Sequence, residues 1–508
     1  MSLAKKIIMK RGIILVLFCI SISANAQVIV GNTTLQEREV IGGLDIPWEI
    51  KWGYDDYIWM TERPGIVSRV DVETGSKNVI LDLQNIVYSG NNEAGLLGME
   101  FHPDFESNHI LFLTYTYVVG NQIKERLVAY TYNEVSDLLE NQQILLDDIN
   151  GNTTHIGSRI LALDDFTILI STGDAQDQPS SQDVNELSGK ILRMDISDSN
   201  FGGIPADNPI DGSYVWSWGH RNAQGLELAP NGIIYSSEHG PTNDDELNIL
   251  EPNMNYGWPN VQGFCDDPTE YLFCEENDVV EPLIAWTPTI APSDIIWYDH
   301  PSIPEFQNTL LMTVLKDKML VRFEFSEDGQ TVTNETEFFN YEWGRLRDIC
   351  VSPNGKIYLA TNGSTWPSQP PNEIIELYNA AYDYTEIEIY GCTDSSASNY
   401  NSLATIDDGN CEFLTLDCST VELINFPLYL PQGWSLFGFT CFQSMDVILA
   451  FEPIMNNVII VKDYAGSAYL PDWNFNGIGS LNYSVGYQIK LTEEVTNFQF
   501  CPTIILTE

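Results

Sequence analysis

A short turn followed by an apolar, β-rich run recurs along most of the chain, and this recurrence narrows the available folds more than any other feature. Copies occur at Gly53-Tyr54-Asp55-Asp56 before Tyr57-Ile58-Trp59-Met60, at His102-Pro103-Asp104-Phe105 before Ile110-Leu111-Phe112-Leu113, and at Asp164-Asp165 before Phe166-Thr167-Ile168-Leu169-Ile170. Two more are Pro230-Asn231-Gly232 before Ile233-Ile234-Tyr235 and Pro353-Asn354-Gly355 before Lys356-Ile357-Tyr358. Gly, Asn and Asp supply the turn, and the β-branched and aromatic residues that follow favour an extended strand, so each copy reads as a hairpin. Successive copies lie roughly 50 to 70 residues apart, and one double-length gap holds a degenerate copy at Phe306-Gln307-Asn308-Thr309-Leu310-Leu311-Met312, which brings the number to about six. Helical periodicity is nearly absent, which argues against a mixed α/β barrel. The expected fold is all-β, a six-bladed β-propeller, although an array of β-sandwiches satisfies the same pattern.

The repeat stops between Tyr378 and Ile389, where the composition changes. The organisation predicted from this is a propeller over residues 28–388, a cysteine-bracketed segment over 389–413, and a small disulfide-bearing β accessory domain over 414–508. The middle segment runs from Cys392 to Cys411 and carries Asp394, Asp407 and Asp408, which suit either a disulfide-closed spacer or a calcium loop built on hard oxygen ligands. The last segment has no acid/base constellation and reads as a module for adhesion, sorting or glycan contact.

The N-terminus carries Lys5, Lys6, Lys10 and Arg11, then an apolar run from Gly12 to Ile22, then Ser23-Ala24-Asn25-Ala26. This is the pattern of a signal peptide over residues 1–26, cut after Ala26, and the run is well short of the ~20 residues that span a bilayer. No later segment is long and apolar enough to span, so the chain is expected to be secreted, extracellular or periplasmic, and not an integral membrane protein. Eight of the nine cysteines lie beyond the signal, an even number that suits an oxidising compartment. Cys265 and Cys274 are close enough to bracket one loop, and Cys350 lies inside a strand-like run, where it is expected to stay free. The formal charge is −49, from 23 Lys and Arg against 72 Asp and Glu, which repels nucleic acid and excludes it as a partner.

In so acidic a chain the informative side chains are the cations set among turns and aromatics: Arg221 in Gly219-His220-Arg221-Asn222, Lys316, and the pair Arg345 and Arg347. Residues two apart on a strand share a face, so Arg345 and Arg347 can address one multiply charged anion; pairing with surface carboxylates is the alternative. A second group is Glu238-His239-Gly240-Pro241 followed by Asp244-Asp245-Glu246 and Asn255-Tyr256-Gly257-Trp258. There, exposed main-chain carbonyls with carboxylates behind them suit a hard cation, and a solvated acidic turn is the plainer reading.

Taken in order, these segments resemble the soluble pyrroloquinoline-quinone (PQQ) glucose dehydrogenases and their aldose and sorbosone dehydrogenase relatives. The resemblance spans most of residues 28–380 and includes Thr61-Glu62-Arg63-Pro64-Gly65, Gly95-Leu96-Leu97-Gly98, Gly189-Lys190-Ile191-Leu192-Arg193, Gly219-His220-Arg221-Asn222, Glu238-His239-Gly240-Pro241 and Arg345-Leu346-Arg347-Asp348. It implies that His155, in Thr154-His155-Ile156-Gly157, is the base that takes a hydroxyl proton while hydride leaves the sugar carbon for the quinone. It implies that Arg221 stabilises charge on the quinone oxygen with Asn222 beside it, and that Thr289, Lys316, Arg345 and Arg347 hold PQQ. It further implies a calcium ion on the carbonyls of Gly240 and Pro241, and a second, structural calcium at Glu246 and Tyr256.

The departures fall on the substrate side: Glu93 stands where the glucose enzymes have a glutamine, Ala175 replaces another sugar-contacting glutamine, and Thr287 replaces a tryptophan. The function expected is therefore a secreted quinoprotein oxidoreductase acting with PQQ and calcium on an aldose, a related sugar or a glycan end, and passing electrons to a separate acceptor. The competing readings are a non-catalytic secreted propeller that binds a protein or glycan, and a calcium-dependent propeller hydrolase.

Overall fold

The computed structural model describes residues 27–384 apart from 91, and beyond them 390–392, 397, 406, 407, 411, 423, 424, 428–439, 441, 444–483, 485–500, 503 and 504. Residues 1–26, where a signal peptide is expected, and the acidic residues Asp394 and Asp408 lie outside the described residues. The chain divides into two compact units, residues 1–389 and 390–508.

The first unit is a six-bladed β-propeller. Its sheets follow one another along the chain as residues 47–82, 96–150, 157–218, 223–286 and 292–338, each of four strands, and a sixth sheet of five strands begins at Leu346. Each sheet starts with its innermost strand: Pro47–Trp52, Leu96–Phe101, Gly157–Ala162, Ala223–Leu228, Pro292–Tyr298 and Leu346–Val351. These six strands pack side by side around an axis, and the last packs against the first, so the ring closes. The sixth sheet takes its two outer strands, Thr33–Leu44 and Gln27–Val30, from the beginning of the chain, with Leu35 opposite Asn379 and Gln27 opposite Gln36. The turn that reads Pro353-Asn354-Gly355 needs its glycine: Gly355 has φ +78°, and a Cβ there would run into the His300 ring.

The apolar core is divided among the gaps between blades. Trp59, Met99, Phe101 and Leu113 fill the gap between blades 1 and 2, and Ile50, Ile58, Tyr358 and Ile374 fill that between blades 6 and 1; the other four gaps have clusters of their own. Alternate residues of each strand reach opposite gaps, which is why strands here read as nearly continuous apolar runs.

The axis itself is polar. Arg159 is fully buried, lies 4.5 Å from the Trp48 ring, and reaches Glu49 Oε2 at 2.6 Å, Asp348 Oδ1 at 2.8 Å and the Gln224 carbonyl at 2.8 Å, with Asp294 at 3.3 Å. One guanidinium thus joins blades 1, 3, 4, 5 and 6.

The second unit has a five-stranded sheet in the order Gly433–Gly438, Gly486–Leu491, Val458–Lys462, Ala468–Leu470, Phe475–Asn476. One face covers a core of Phe437, Phe451, Val461, Tyr469, Tyr487 and Ile489. The helix Val447–Phe451 is capped by Asp446, whose carboxylate accepts the Ile448 N–H at 2.8 Å. Cys265–Cys274 and Cys392–Cys411 are disulfides, and Cys350 is free and buried, as its place in a strand predicted. Among the described residues no helix is long and apolar enough to cross a membrane.

Candidate active site

The loops that lead into the inner strands, with those that follow the second strand of each blade, bring the singled-out residues together. His155 sits just before the Gly157–Ala162 strand with φ +57°. Its backbone N–H donates to Glu93 Oε2 at 2.7 Å, and its Nδ1 lies 2.7 Å from Asp174 Oδ1. Asp174 is fully buried and also accepts from Gln176 N at 2.7 Å and from Trp258 Nε1 at 2.9 Å. Burial raises the Asp174 carboxyl, but the hydrogen bond and charge of His155 and its other donors outweigh burial and hold it below its ordinary range. An ionised Asp174 accepts only, so Nδ1 of His155 carries the proton and Nε2 presents a lone pair. Arg221 Nη2 donates to that Nε2 at 3.0 Å. The imidazole remains 19% exposed, so a substrate hydroxyl can reach Nε2 as a base once Arg221 Nη2 gives up this lone pair.

Arg221 is fixed by further contacts: Nη1 donates to the His239 carbonyl at 3.0 Å, its backbone N–H donates to Glu238, and the guanidinium lies 5.2 Å from the Trp258 ring centroid. Asn222 accepts from Gly157 N at 3.0 Å and donates one of its two Nδ2 hydrogens to Glu93 Oε2 at 3.2 Å. Glu93 therefore ties the backbone of His155 to the side chain of Asn222.

Arg345 and Arg347 flank Leu346, which is buried in the cluster between blades 5 and 6, so the two guanidiniums turn away from that cluster toward the axis. Arg347 donates to Gln224 Oε1 at 2.7 Å and Ser293 Oγ at 3.1 Å and lies 5.1 Å from the Trp48 ring; Arg345 lies 5.5 Å from the Trp366 ring. Lys316 donates to the hydroxyl of Thr289 at 2.8 Å and to its carbonyl. Among the described residues none of Arg221, Lys316, Arg345 and Arg347 makes an ion pair, although the chain holds 72 acidic residues. Burial lowers Arg345 to about 10 and Arg347 to about 9, and the Nε atoms of Arg221, Arg345 and Arg347 are buried without a partner. Desolvated cations with free donors favour an anionic ligand.

Gly240, Pro241, Glu246 and Tyr256 line one small cavity of about 10 Å³ together with Glu238 and Asp244, room for a single water or ion. Asp245 pins this loop, accepting Gly240 N at 2.7 Å through one oxygen and Ile290 N and Ala291 N at 2.6 Å through the other. Glu246 is pushed up to about 8 by burial and by the Glu238 carboxylate. The Tyr256 hydroxyl is committed to the backbone, donating to the Ile249 carbonyl at 2.7 Å and accepting from Glu251 N at 2.9 Å, so Tyr256 can offer an ion its main-chain oxygen only. Among the described residues no three acidic, histidine or cysteine side chains form a metal-holding group, so a cation here depends on carbonyls. Burial, Arg347 and Arg221 lower His239 to about 3, and its neutral ring donates to the Pro292 carbonyl at 2.7 Å.

Sequence reasoning did not select Asp174, and it named Glu238, Asp245 and Trp258 only within the candidate cation group, without the hydrogen bonds they make here. Asp174 lies in Gly173-Asp174-Ala175 directly after the Thr167–Thr172 strand, and only its pairing in space distinguishes it from other turn aspartates.

The glucose/sorbosone dehydrogenase family model matches residues 44–366, a stretch that contains every one of these residues. The chain belongs to the glucose/sorbosone dehydrogenase family. Quinoprotein glucose dehydrogenase B of Acinetobacter calcoaceticus is 29% identical over 417 residues, covering 65% of this chain and 86% of that protein. Aldose sugar dehydrogenase YliI of Escherichia coli is 26% identical over 340 residues, covering 63% of this chain and 88% of that protein. Among solved structures, the PQQ-bound aldose sugar dehydrogenase of Streptomyces coelicolor superposes with a TM-score of 0.57 at 28% identity, over 68% of this chain and 98% of that one. Residues 390–508 of this family member lie outside the family match.

Proposed function

We propose that the chain is a secreted, PQQ- and calcium-dependent oxidoreductase that oxidises a CH–OH group of an aldose, a related sugar or a glycan end. The observation that carries this reading is the set of Arg221, Arg345, Arg347 and Lys316, left without carboxylate partners around the His155–Asp174 pair. PQQ carries three carboxylates, and the unpartnered donors of these residues suit it: Lys316, Arg345 and Arg347 would hold the carboxylates, Thr289 would lie beside them, and Arg221 with Asn222 would face the quinone oxygens. Bound PQQ would supply the acceptor for one hydride, which carries both electrons of the oxidation. The single-ion cavity would take the structural calcium at Glu246 and the main chain of Tyr256, and the carbonyls of Gly240 and Pro241 would hold a second calcium outside that cavity, next to PQQ.

The chain's own part is to bind, orient and move one proton. Asp174 holds His155 in the tautomer whose Nε2 accepts a proton, and Nε2 takes the substrate hydroxyl proton as hydride departs from the same carbon. The Arg221 guanidinium is desolvated in place, so its charge acts on developing negative charge without solvent reorganisation. Glu93 stands at the substrate side, fixed by His155 N and Asn222 Nδ2, and would accept a sugar hydroxyl with its other oxygen. Ala175 and Thr287 in place of larger family residues favour a different or broader aldose, alcohol or glycan-end substrate over glucose. The Cys265–Cys274 and Cys392–Cys411 disulfides support export.

The test is reconstitution of the purified chain with calcium and PQQ, followed by dye reduction on a panel of aldoses, with His155→Ala in parallel. Turnover that disappears in the variant supports the reading. Failure to bind PQQ overturns it, and full activity in His155→Ala removes the assigned base.

A further inference from the structure

Between residues 390 and 508 the sequence contains only two cations, Lys462 and Lys490, and every other charged side chain there is acidic. Both lysines converge on one indole: each Nζ lies 5.7 Å from the centroid of Trp434. The register explains how. Trp434 on the edge strand Gly433–Gly438 faces Lys490 on the next strand, and Leu436 faces Gln488, which in turn faces Lys462. Alternation along these strands puts Trp434, Leu436, Gln488, Lys490 and Lys462 on the face opposite the aromatic core. That face is open: Trp434 is 51% exposed and Leu436 is 75% exposed.

Neither lysine makes an ion pair among the described residues. Two neighbouring acids are engaged elsewhere, Asp463 accepting Ser467 N at 2.7 Å and Glu494 accepting the Tyr429 hydroxyl at 2.8 Å. An indole flanked by two free ammonium groups presents an apolar plate for the C–H face of a pyranose ring and two donors for a negative substituent on it. A protein partner would need roughly 1,000 Å² of complementary surface, far more than one indole and one leucine supply. Nucleic acid and anionic bilayers present dense charge to a chain of net charge −49, whereas an acidic polysaccharide carries about one charge per sugar, and the remote acids are screened beyond about 8 Å at physiological salt.

We propose that the sheet face centred on Trp434, Lys462 and Lys490 is a binding site for an acidic polysaccharide, a chain of pyranose rings bearing carboxylate or sulfate groups. The site is independent of the dehydrogenase reading and needs no cofactor.

Full-length protein is run through gels containing polygalacturonate, dextran sulfate or neutral dextran, and titrated with each polymer by tryptophan fluorescence. Retardation by polygalacturonate, dextran sulfate or both, but not by dextran, is expected, with the two acidic polymers separating carboxylate from sulfate recognition. Trp434→Ala and the double variant Lys462→Glu with Lys490→Glu are each expected to weaken binding about tenfold or more while the far-UV spectrum and melting temperature stay unchanged. Equal retardation by neutral dextran overturns the proposal, as does undiminished binding in either variant or no binding to any acidic polymer. Dimerisation through this face, seen by light scattering and abolished in the same variants, would replace the polysaccharide with a second copy of the chain.

Discussion

Replacing Asp174 with asparagine tests the catalytic geometry without changing its shape. In the native site, Oδ1 of Asp174 accepts from His155 Nδ1 and Gln176 N, and Oδ2 accepts from Trp258 Nε1 at 2.9 Å. Asparagine has one oxygen and one NH2 group. If the oxygen stays toward His155 and Gln176, the NH2 group meets the indole N–H, donor against donor. If it turns, the NH2 group meets Gln176 N–H and forces His155 into the tautomer with Nε2–H, which then meets the Arg221 Nη2 donor 3.0 Å away. Either arrangement leaves buried donors unpaired at a cost of about 1–3 kcal/mol, which corresponds to roughly a tenfold to hundredfold loss in kcat if it falls on the reactive orientation of His155. Asp174 contacts none of Lys316, Arg345 and Arg347, so the PQQ dissociation constant should change by less than about threefold. The assay compares kcat for dye reduction at saturating PQQ with PQQ affinity from fluorescence titration. An unchanged kcat, or a loss fully accounted for by weaker PQQ binding, would refute the role assigned to this carboxylate.

Arg345→Ala removes a cation that makes no ion pair among the described residues and is neighboured by the Trp366 ring; PQQ binding should weaken by about 1.5–3 kcal/mol, roughly tenfold to a hundredfold, with little change in melting temperature. Arg159→Met leaves Glu49, Asp294 and Asp348 buried without their shared cation and should destabilise the propeller by about 3–5 kcal/mol in chemical denaturation; a cost under about 1 kcal/mol would show that the axial cluster is not needed for closure. Glu125 is buried beside Ser158, and burial pushes its carboxyl up to about 8 against the hydrogen bond from Ser158. A carboxyl whose pKa is raised by folding contributes stability below its unfolded value of 4.5 that is lost as pH climbs toward 8. Glu125→Gln, neutral throughout, should therefore gain in melting temperature relative to the native chain between about pH 5 and 8; a difference independent of pH would contradict this.

The repeat of turns and apolar runs was enough to indicate six blades, because each hairpin is a local event written in adjacent residues. Even the degenerate copy near Phe306 falls on a blade strand, Thr309–Val314. The use of Gln27–Val30 and Thr33–Leu44 to complete the sixth sheet had no such signal, since partners some 340 positions apart share no local pattern. The same division holds at the site. Arg221, Lys316, Arg345 and Arg347 stood out because cations are scarce in this chain, and among the described residues none of them makes an ion pair. Asp174 was hidden for the opposite reason: acids are abundant, and nothing in Gly173-Asp174-Ala175 indicates that its carboxylate meets His155. The contribution of Tyr256 was legible as a position but not as an atom, because only the hydrogen bonds of its hydroxyl show that the side chain is already committed.

The seam in the sixth blade gives the chain an order of completion. A ribosome or export channel releases Thr33–Leu44 first and Asn372–Asn379 more than three hundred residues later, yet these strands are neighbours, and Arg38 bonds Glu376 at 2.7 Å across the join. Until that late strand emerges the early one has only Gln27–Val30 as a partner, so five blades can form in sequence while the ring stays open. Closure is then a single late event that sets the six inner strands around the axis and brings Arg345 and Arg347 opposite Arg221 and His155. A chain cut short before residue 379 would keep most of its hairpins and lack a binding site.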